Sequence, residues 1–160
     1  MNKNSLKGIS IVEIIIASAI IGISVVGITT AIQIYLKIVY QNTRETQAVL
    51  LLEEAAEALQ YIRDVDYENE IEIRDPDIDY SLFWSGSGYE LTDSSISLPY
   101  NMSRIIRFSD VFRDSADQIT SDGGTLDLDT KKALITVEWK YSDIQKSISS
   151  EVLIHNIYAN

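Results

Sequence analysis

The sequence predicts an α+β chain in which one long N-terminal helix lies on an antiparallel sheet of about four strands. Three observations carry that reading. A run from Ile14 to Leu36 contains no charged residue. Apolar residues then recur at helical spacing, with Leu52, Ala55, Ala56, Leu59 and Ile62 on one side and Glu53, Glu54, Glu57, Gln60 and Arg63 on the other. From Tyr80 onward, short segments alternate apolar and polar residues between turn-forming ones.

The first run is long enough to cross a bilayer, since a hydrocarbon core of about 30 Å takes about 20 helical residues. Its polar members are Ser18, Ser24, Thr29, Thr30 and Gln33. Lys3 and Lys7 precede it, so the expected topology is a single pass in the cytoplasmic membrane, N-terminus inside and residues from about Lys37 outside. A cleaved secretory signal ending at Ala17-Ser18-Ala19 fits poorly. Glu13 would break its apolar region, and another apolar run, Ile20 to Ile32, would become the new N-terminus. As the core helix of a soluble protein the run would need an apolar surround that the rest of the chain does not supply.

Glu13 stands at the start of this run. A carboxylate in hydrocarbon costs about 2.5–3.5 kcal/mol on insertion scales and marks a functional position by default. Ser10-Ile11-Val12-Glu13 also has the S-x-x-E form of a capping box, which would start the helix near Ser10 and put the acid where the helix dipole favours it. The pairs Ser18/Gly22 and Gly27/Ala31, each four apart, let helices approach closely.

No Pro or Gly interrupts residues 28–74, so the helix is expected to continue to about Arg63, a length of roughly 80 Å at 1.5 Å per residue. Beyond Val65 an acidic stretch reads as a solvated surface loop, with eight acids from Asp64 to Asp79 offset only by Arg74. Strands follow at Tyr80–Trp84, Tyr89–Thr92, Ser103–Phe112, Thr130–Tyr141 and Gln145–Ile157. A Ser85-Gly86-Ser87-Gly88 turn joins the first two and a short turn near Ser142-Asp143 the last two. In the fourth, Ile135, Val137 and Trp139 alternate with Leu134, Thr136 and Glu138, the pattern of a sheet with one buried face.

Composition removes several function classes. The chain has 13 Lys+Arg against 24 Asp+Glu, a formal net charge of −11, so nucleic acid is not an expected partner for most of its surface. Arg104, Arg107 and Arg113, near Tyr100, Phe108 and Phe112, are the one possible stacking patch, with salt-bridged strand residues as the simpler account. With no Cys and one His, His155, neither a thiolate site nor a His-based triad is available within one chain. No G-x-S-x-G or phosphate-cradling glycine loop occurs. No catalytic residue and no cofactor is assigned. Asp75-x-Asp77-x-Asp79 begins like a calcium loop but has Tyr80 and Gly86 where Gly and Glu are required.

The run Lys7-Gly8-Ile9-Ser10-Ile11-Val12-Glu13, followed by an unbroken apolar helix, resembles the N-terminus of type IV pilins and pseudopilins. The resemblance covers about the first 35 residues. It implies a basic leader (residues 1–8, with Lys3 and Lys7) removed by a prepilin peptidase between Gly8 and Ile9, and N-methylation of Ile9. Glu13 becomes the fifth residue of the mature chain, where the family keeps a glutamate. It further implies a membrane or filament-core helix over residues 9–36, an amphipathic continuation over 37–64 and an acidic β-rich head over 65–160. The implied partners are other pilin subunits, the peptidase, an inner-membrane assembly platform and membrane lipid. Two departures stand out: Ile9 where Phe is usual, and Thr30 where many major subunits carry Pro. The second points to a minor subunit. Some pseudopilins bind calcium in acidic loops, which makes Asp122, Asp127 and Asp129 the metal candidates, with solvated loop acids as the first reading.

The expected function is therefore a structural subunit of a type IV pilus or a type II secretion-like pseudopilus, ending in an extracellular or periplasmic filament. The alternative is a single-pass anchored binding domain that does not polymerise.

Overall fold

The structure is a computed structural model, and it describes residues 10–121, 123–141 and 143–159. Two compact units divide at Thr43/Arg44.

The first unit is the N-terminal part of helix α1 (Ile11–Tyr67). The helix opens at Ser10, whose carbonyl accepts the backbone N–H groups of Glu13 and Ile14 at 3.0 and 3.2 Å. Ile and Val are indifferent helix formers in water, but in a bilayer the helix is the one local fold that satisfies every backbone group. The side-chain hydroxyls are satisfied internally as well. Ser18, Ser24, Thr29 and Thr30 donate to the carbonyls of Ile15, Ile20, Val25 and Val26 at 2.8–2.9 Å. The helix is long and apolar enough to cross a membrane, and its apolar window is wholly unburied.

In the second unit α1 becomes one-sided. Ala48, Leu52, Ala55, Leu59 and Ile62 are buried at spacings of three and four, joined by Ala58. The helix runs past Arg63 to Tyr67, with one break at Asp66 (φ −163°, ψ 90°). The Asp66 carboxylate accepts the Asn69 backbone N–H at 3.1 Å and its side-chain amide at 2.8 Å, in the manner of an N-cap. Those two bonds hold its carboxyl below the usual range. A π-helical turn, Glu68–Glu72, follows and buries Ile71. The acidic stretch is thus partly ordered and not simply a loop, because Tyr67 and Ile71 draw it onto the core while its acids stay outside.

The sheet has six antiparallel strands: β1 (Asp79–Trp84), β2 (Tyr89–Thr92), β3 (Met102–Arg113), β4 (Ile119–Thr120), β5 (Thr125–Tyr141) and β6 (Ile144–His155). Their order is β2-β1-β3-β5-β6, with β4 on the end of β3. The helix packs on one face of this sheet. In register across β3 and β5 stand Met102/Trp139, Arg104/Val137, Ile106/Ile135 and Phe108/Ala133, and all of these are buried. Within that column a large side chain faces a small one, Phe108 facing Ala133, so that the layer can interdigitate. The expected sheet is present with more strands than about four. The extra one, β4, is two residues long and too short to show a period.

The register of β3 on β5 breaks where Asp110 pairs Lys131 but Val111 pairs Asp127, leaving Leu128, Asp129 and Thr130 as an insertion in β5. Beside it the chain turns at Gly124 (φ +95°), where a Cβ would lie 2.6 Å from the Arg113 carbonyl oxygen.

Leu59→Ala, which empties a fully buried site between helix and sheet, is expected to cost about 2–5 kcal/mol. Leu50→Ala, on the exposed side of the same helix, should stay within about 0.5 kcal/mol. Denaturant melts of the full chain in a non-ionic detergent read both.

Candidate functional site

Glu13 lies in the first turn of α1. With Ile14, Ala17, Ser18 and Ile21 it lines a shallow hollow of about 440 Å³. The short side chains of Ala17 and Ser18, one turn on, leave the carboxylate approachable from the side. No ion pair or side-chain hydrogen bond holds the Glu13 carboxylate among the described residues. At Gly22 and Gly27 an added Cβ would meet nothing within 4 Å, so nothing among the described residues requires glycine there. At about 100° per residue the Ser18/Gly22 pair and the Gly27/Ala31 pair point roughly 180° apart, and Gly27 and Ala31 share the face of Glu13. Lys3, Lys7, Gly8, Ile9 and Asp122 lie outside the described residues.

In the head, each arginine of the would-be stacking patch is engaged by an acid. Arg104 is buried and donates to Glu54 Oε2 at 3.0 Å and to the Leu51 carbonyl at 2.9 Å. Arg107 pairs with Asp79, and Arg113 Nε bonds Asp127 Oδ2 at 2.6 Å. Their positions on β3 separate them further, since Arg104 points inward while Arg107 is exposed. The three arginines therefore do not form one patch. The simpler salt-bridge account holds, although Asp110, one of the acids placed among those arginines in sequence, pairs with Lys131.

The acidic candidates are used locally. Asp75 Oδ1 accepts the Asp77 backbone N–H at 2.9 Å and Asp79 belongs to Arg107, so Asp75-x-Asp77-x-Asp79 is a turn. Asp127 accepts from Arg113 and from the Asp129 backbone N–H at 3.0 Å, and Asp129 gives its carbonyl to Asn156 N–H at 2.7 Å. Burial alone pushes the Asp127 carboxyl up, but bonds from Arg113, Thr130 and the Asp129 backbone outweigh it and leave the group below its ordinary value. Among the described residues no three His, Cys, Asp or Glu side chains converge as a metal site would require. His155 is exposed on β6, its Nδ1 3.0 Å from Thr130 Oγ1.

Tyr67 pins the inserted residues of β5 by donating to the Leu128 carbonyl at 3.0 Å. Burial, then the charges of Glu72, Asp127 and Asp129, push its phenol far up, so it remains a donor. Sequence reasoning missed this link and the Glu54–Arg104 pair. The second left a trace, because Arg104 occupies an inward position between Met102 and Ile106, where a lone cation needs an acid from the covering helix. Also unforeseen is an aromatic group on α1 and the β1–β2 hairpin. Trp84 and Tyr89 rings are 5.2 Å apart at 75°, and Tyr61 and Tyr89 rings 6.5 Å apart at 73°.

Compared with protein-family models, curated proteins and solved structures, the chain matches none.

Two outcomes are expected in the head. Glu54→Ala leaves Arg104 buried without its acid and should cost about 2 kcal/mol, less than a fully buried pair because Glu54 is 41% exposed. Glu54→Gln with Arg104→Met should recover much of that loss in the same denaturant melt. For Asp127 the folded pKa lies below the unfolded one, so its contribution is complete above about pH 4 and disappears as pH falls through the folded value. Asp127→Asn should therefore lower the melting temperature at pH 7 and have little effect at about pH 2.

Proposed function

We propose that this chain is a type IV pilin-like structural subunit, a minor one, cut between Gly8 and Ile9 and polymerised through α1. The observation that carries the reading is a carboxylate, Glu13, in the first turn of an exposed apolar helix, next to small side chains and without a partner in its own chain among the described residues. Left alone in hydrocarbon that charge is costly. Cleavage would create an amine at Ile9, and methylation keeps it positive. In a low-dielectric bundle such an amine relieves the Glu13 charge of a neighbouring subunit only when both helices are in one axial register. Wrong registers leave two buried charges unpaired.

The small-residue pairs favour an assembly over a simple anchor. A two-helix contact needs one seam, whereas Ser18/Gly22 and Gly27/Ala31 offer close approach on opposite faces, as a helix with several neighbours requires. The four hydroxyls bonded back to the helix have their donors satisfied, which leaves Glu13 and Gln33 as the polar side chains of the run that look to the lipid or the packing partner. Thr30, in place of proline, supports the minor role. The peptidase, an assembly platform in the same membrane and other pilin subunits are the partners, and the acidic head faces solvent outside the cytoplasm.

The test is Glu13→Ala expressed beside the wild-type filament system. Membrane insertion and leader removal should be unchanged, while the amount recovered in sheared filaments falls about tenfold or more, the effect of some 1.4 kcal/mol per contact. Unchanged incorporation would remove Glu13 from assembly.

A further inference from the structure

We infer that the hollow between α1 and the β1–β2 hairpin is a binding site for a quaternary ammonium ion. It has a volume of about 440 Å³ and is lined by Glu54, Glu57, Ala58, Tyr61, Trp84, Ser87 and Tyr89.

Each wall has a local cause. Trp84 and Tyr89 are direct cross-strand partners of the hairpin, which brings their rings together. Tyr61 comes from α1 and closes against the hairpin at Gly88, where a Cβ would lie 3.0 Å from its hydroxyl oxygen and 3.2 Å from Cε1; a residue without Cβ lets that ring approach. Tyr61 and Trp84 each stand nearly perpendicular to Tyr89, so the aromatic walls face different directions around one space. Ala58, buried and small, contributes an uncharged floor.

The charges select the sign of the guest. Glu54 is already balanced by Arg104, and its second oxygen accepts the Tyr89 hydroxyl at 3.3 Å. Burial first, then Glu54, push that phenol up and keep it neutral, which preserves the negative ring face. Glu57 makes no ion pair among the described residues and leaves the hollow with one uncompensated negative charge. Trp84 is 60% exposed and Tyr61 45%, so both rings are open to a guest.

Aromatic faces plus a carboxylate suit a cation, and the kind of cation follows from hydration. A primary ammonium gives up three hydrogen bonds to water on entering such a site; Glu57 and the Ser87 hydroxyl can return some of them, but the ring faces that form most of the wall return none. A quaternary ammonium has no N–H to lose and gains ring contact on several sides. The site lies wholly within the second unit, and its presence does not depend on the proposed assembly.

The experiment titrates choline into the full chain in a maltoside detergent, following line broadening of the choline methyl protons, with Trp84 fluorescence as a second readout. Saturable binding is expected at about 1–10 mM, weakened about fivefold by Trp84→Ala and about threefold by Glu57→Gln. Trp139, buried on β5, should contribute an unchanging fluorescence background. The uncharged isostere 3,3-dimethylbutan-1-ol and the primary amine n-butylammonium should both bind several-fold more weakly. Absence of saturation, or binding untouched by both substitutions, overturns the site. An equal response to the neutral alcohol overturns the cation, and an equal response to n-butylammonium overturns the quaternary preference.

Discussion

Water rejects the surface that α1 presents between Ile11 and Tyr40. Nearly every large side chain there is apolar and exposed, among them Ile11 at 76% and Ile23 at 75%. At about 25 cal/mol per Å², leaving such a surface in water would outweigh the net stability of a small domain, so this segment requires lipid or other helices as its solvent. The back-bonded hydroxyls are consistent with that environment, and Glu13 is the one acidic residue placed inside it, with Lys37 near its far end. A single charge in such surroundings makes partner and register matter far more than it would in water.

The same helix meets a different requirement beyond Arg44. There it needs one apolar stripe for the sheet and polar residues elsewhere, and the change from Ile and Val to Ala, Leu and Glu provides it. Alanines at 48, 55 and 58 are buried on the side of the helix that covers the sheet, and Leu52, Leu59 and Ile62 join Ile106, Ile135 and Phe108 in one core cluster. Polar ties then fix the position. Arg104 reaches Glu54 from the sheet, Lys146 reaches Glu45 at 2.9 Å, and Tyr67 holds the irregular stretch of β5. These contacts join residues 50, 101 and 61 positions apart, so the head closes through long-range pairs.

What the sequence discloses follows from the range of the forces involved. The apolar run, the helical stripe and the alternation of Ile135, Val137 and Trp139 are periodic and local, and the structure places each as its period requires. The hairpin at Ser85–Gly88 is equally readable, since Gly86 has φ +98°. β4 and the insertion at Leu128–Thr130 are not readable, because they are fixed by partners distant in sequence and not by composition. The three arginines of β3 look like one patch in sequence, yet the period of two sends Arg104 inward and Arg107 outward, each to its own acid. Tyr61, Trp84 and Tyr89 meet only because the helix lies across the hairpin, and no linear spacing announces that. Glu13 is legible as a residue out of place, while the amine proposed to complete it belongs to a neighbouring chain.

Assembly through Glu13 depends most on an amine being made at Ile9 to meet it. The direct measurement is the intact mass of the protein isolated from cells that make a prepilin peptidase. A chain beginning at Ile9 and carrying one added methyl group is the predicted result. A chain still beginning at Met1 would contradict this mode of assembly, since Ile9 would then carry a neutral amide and no amine to pair with the carboxylate.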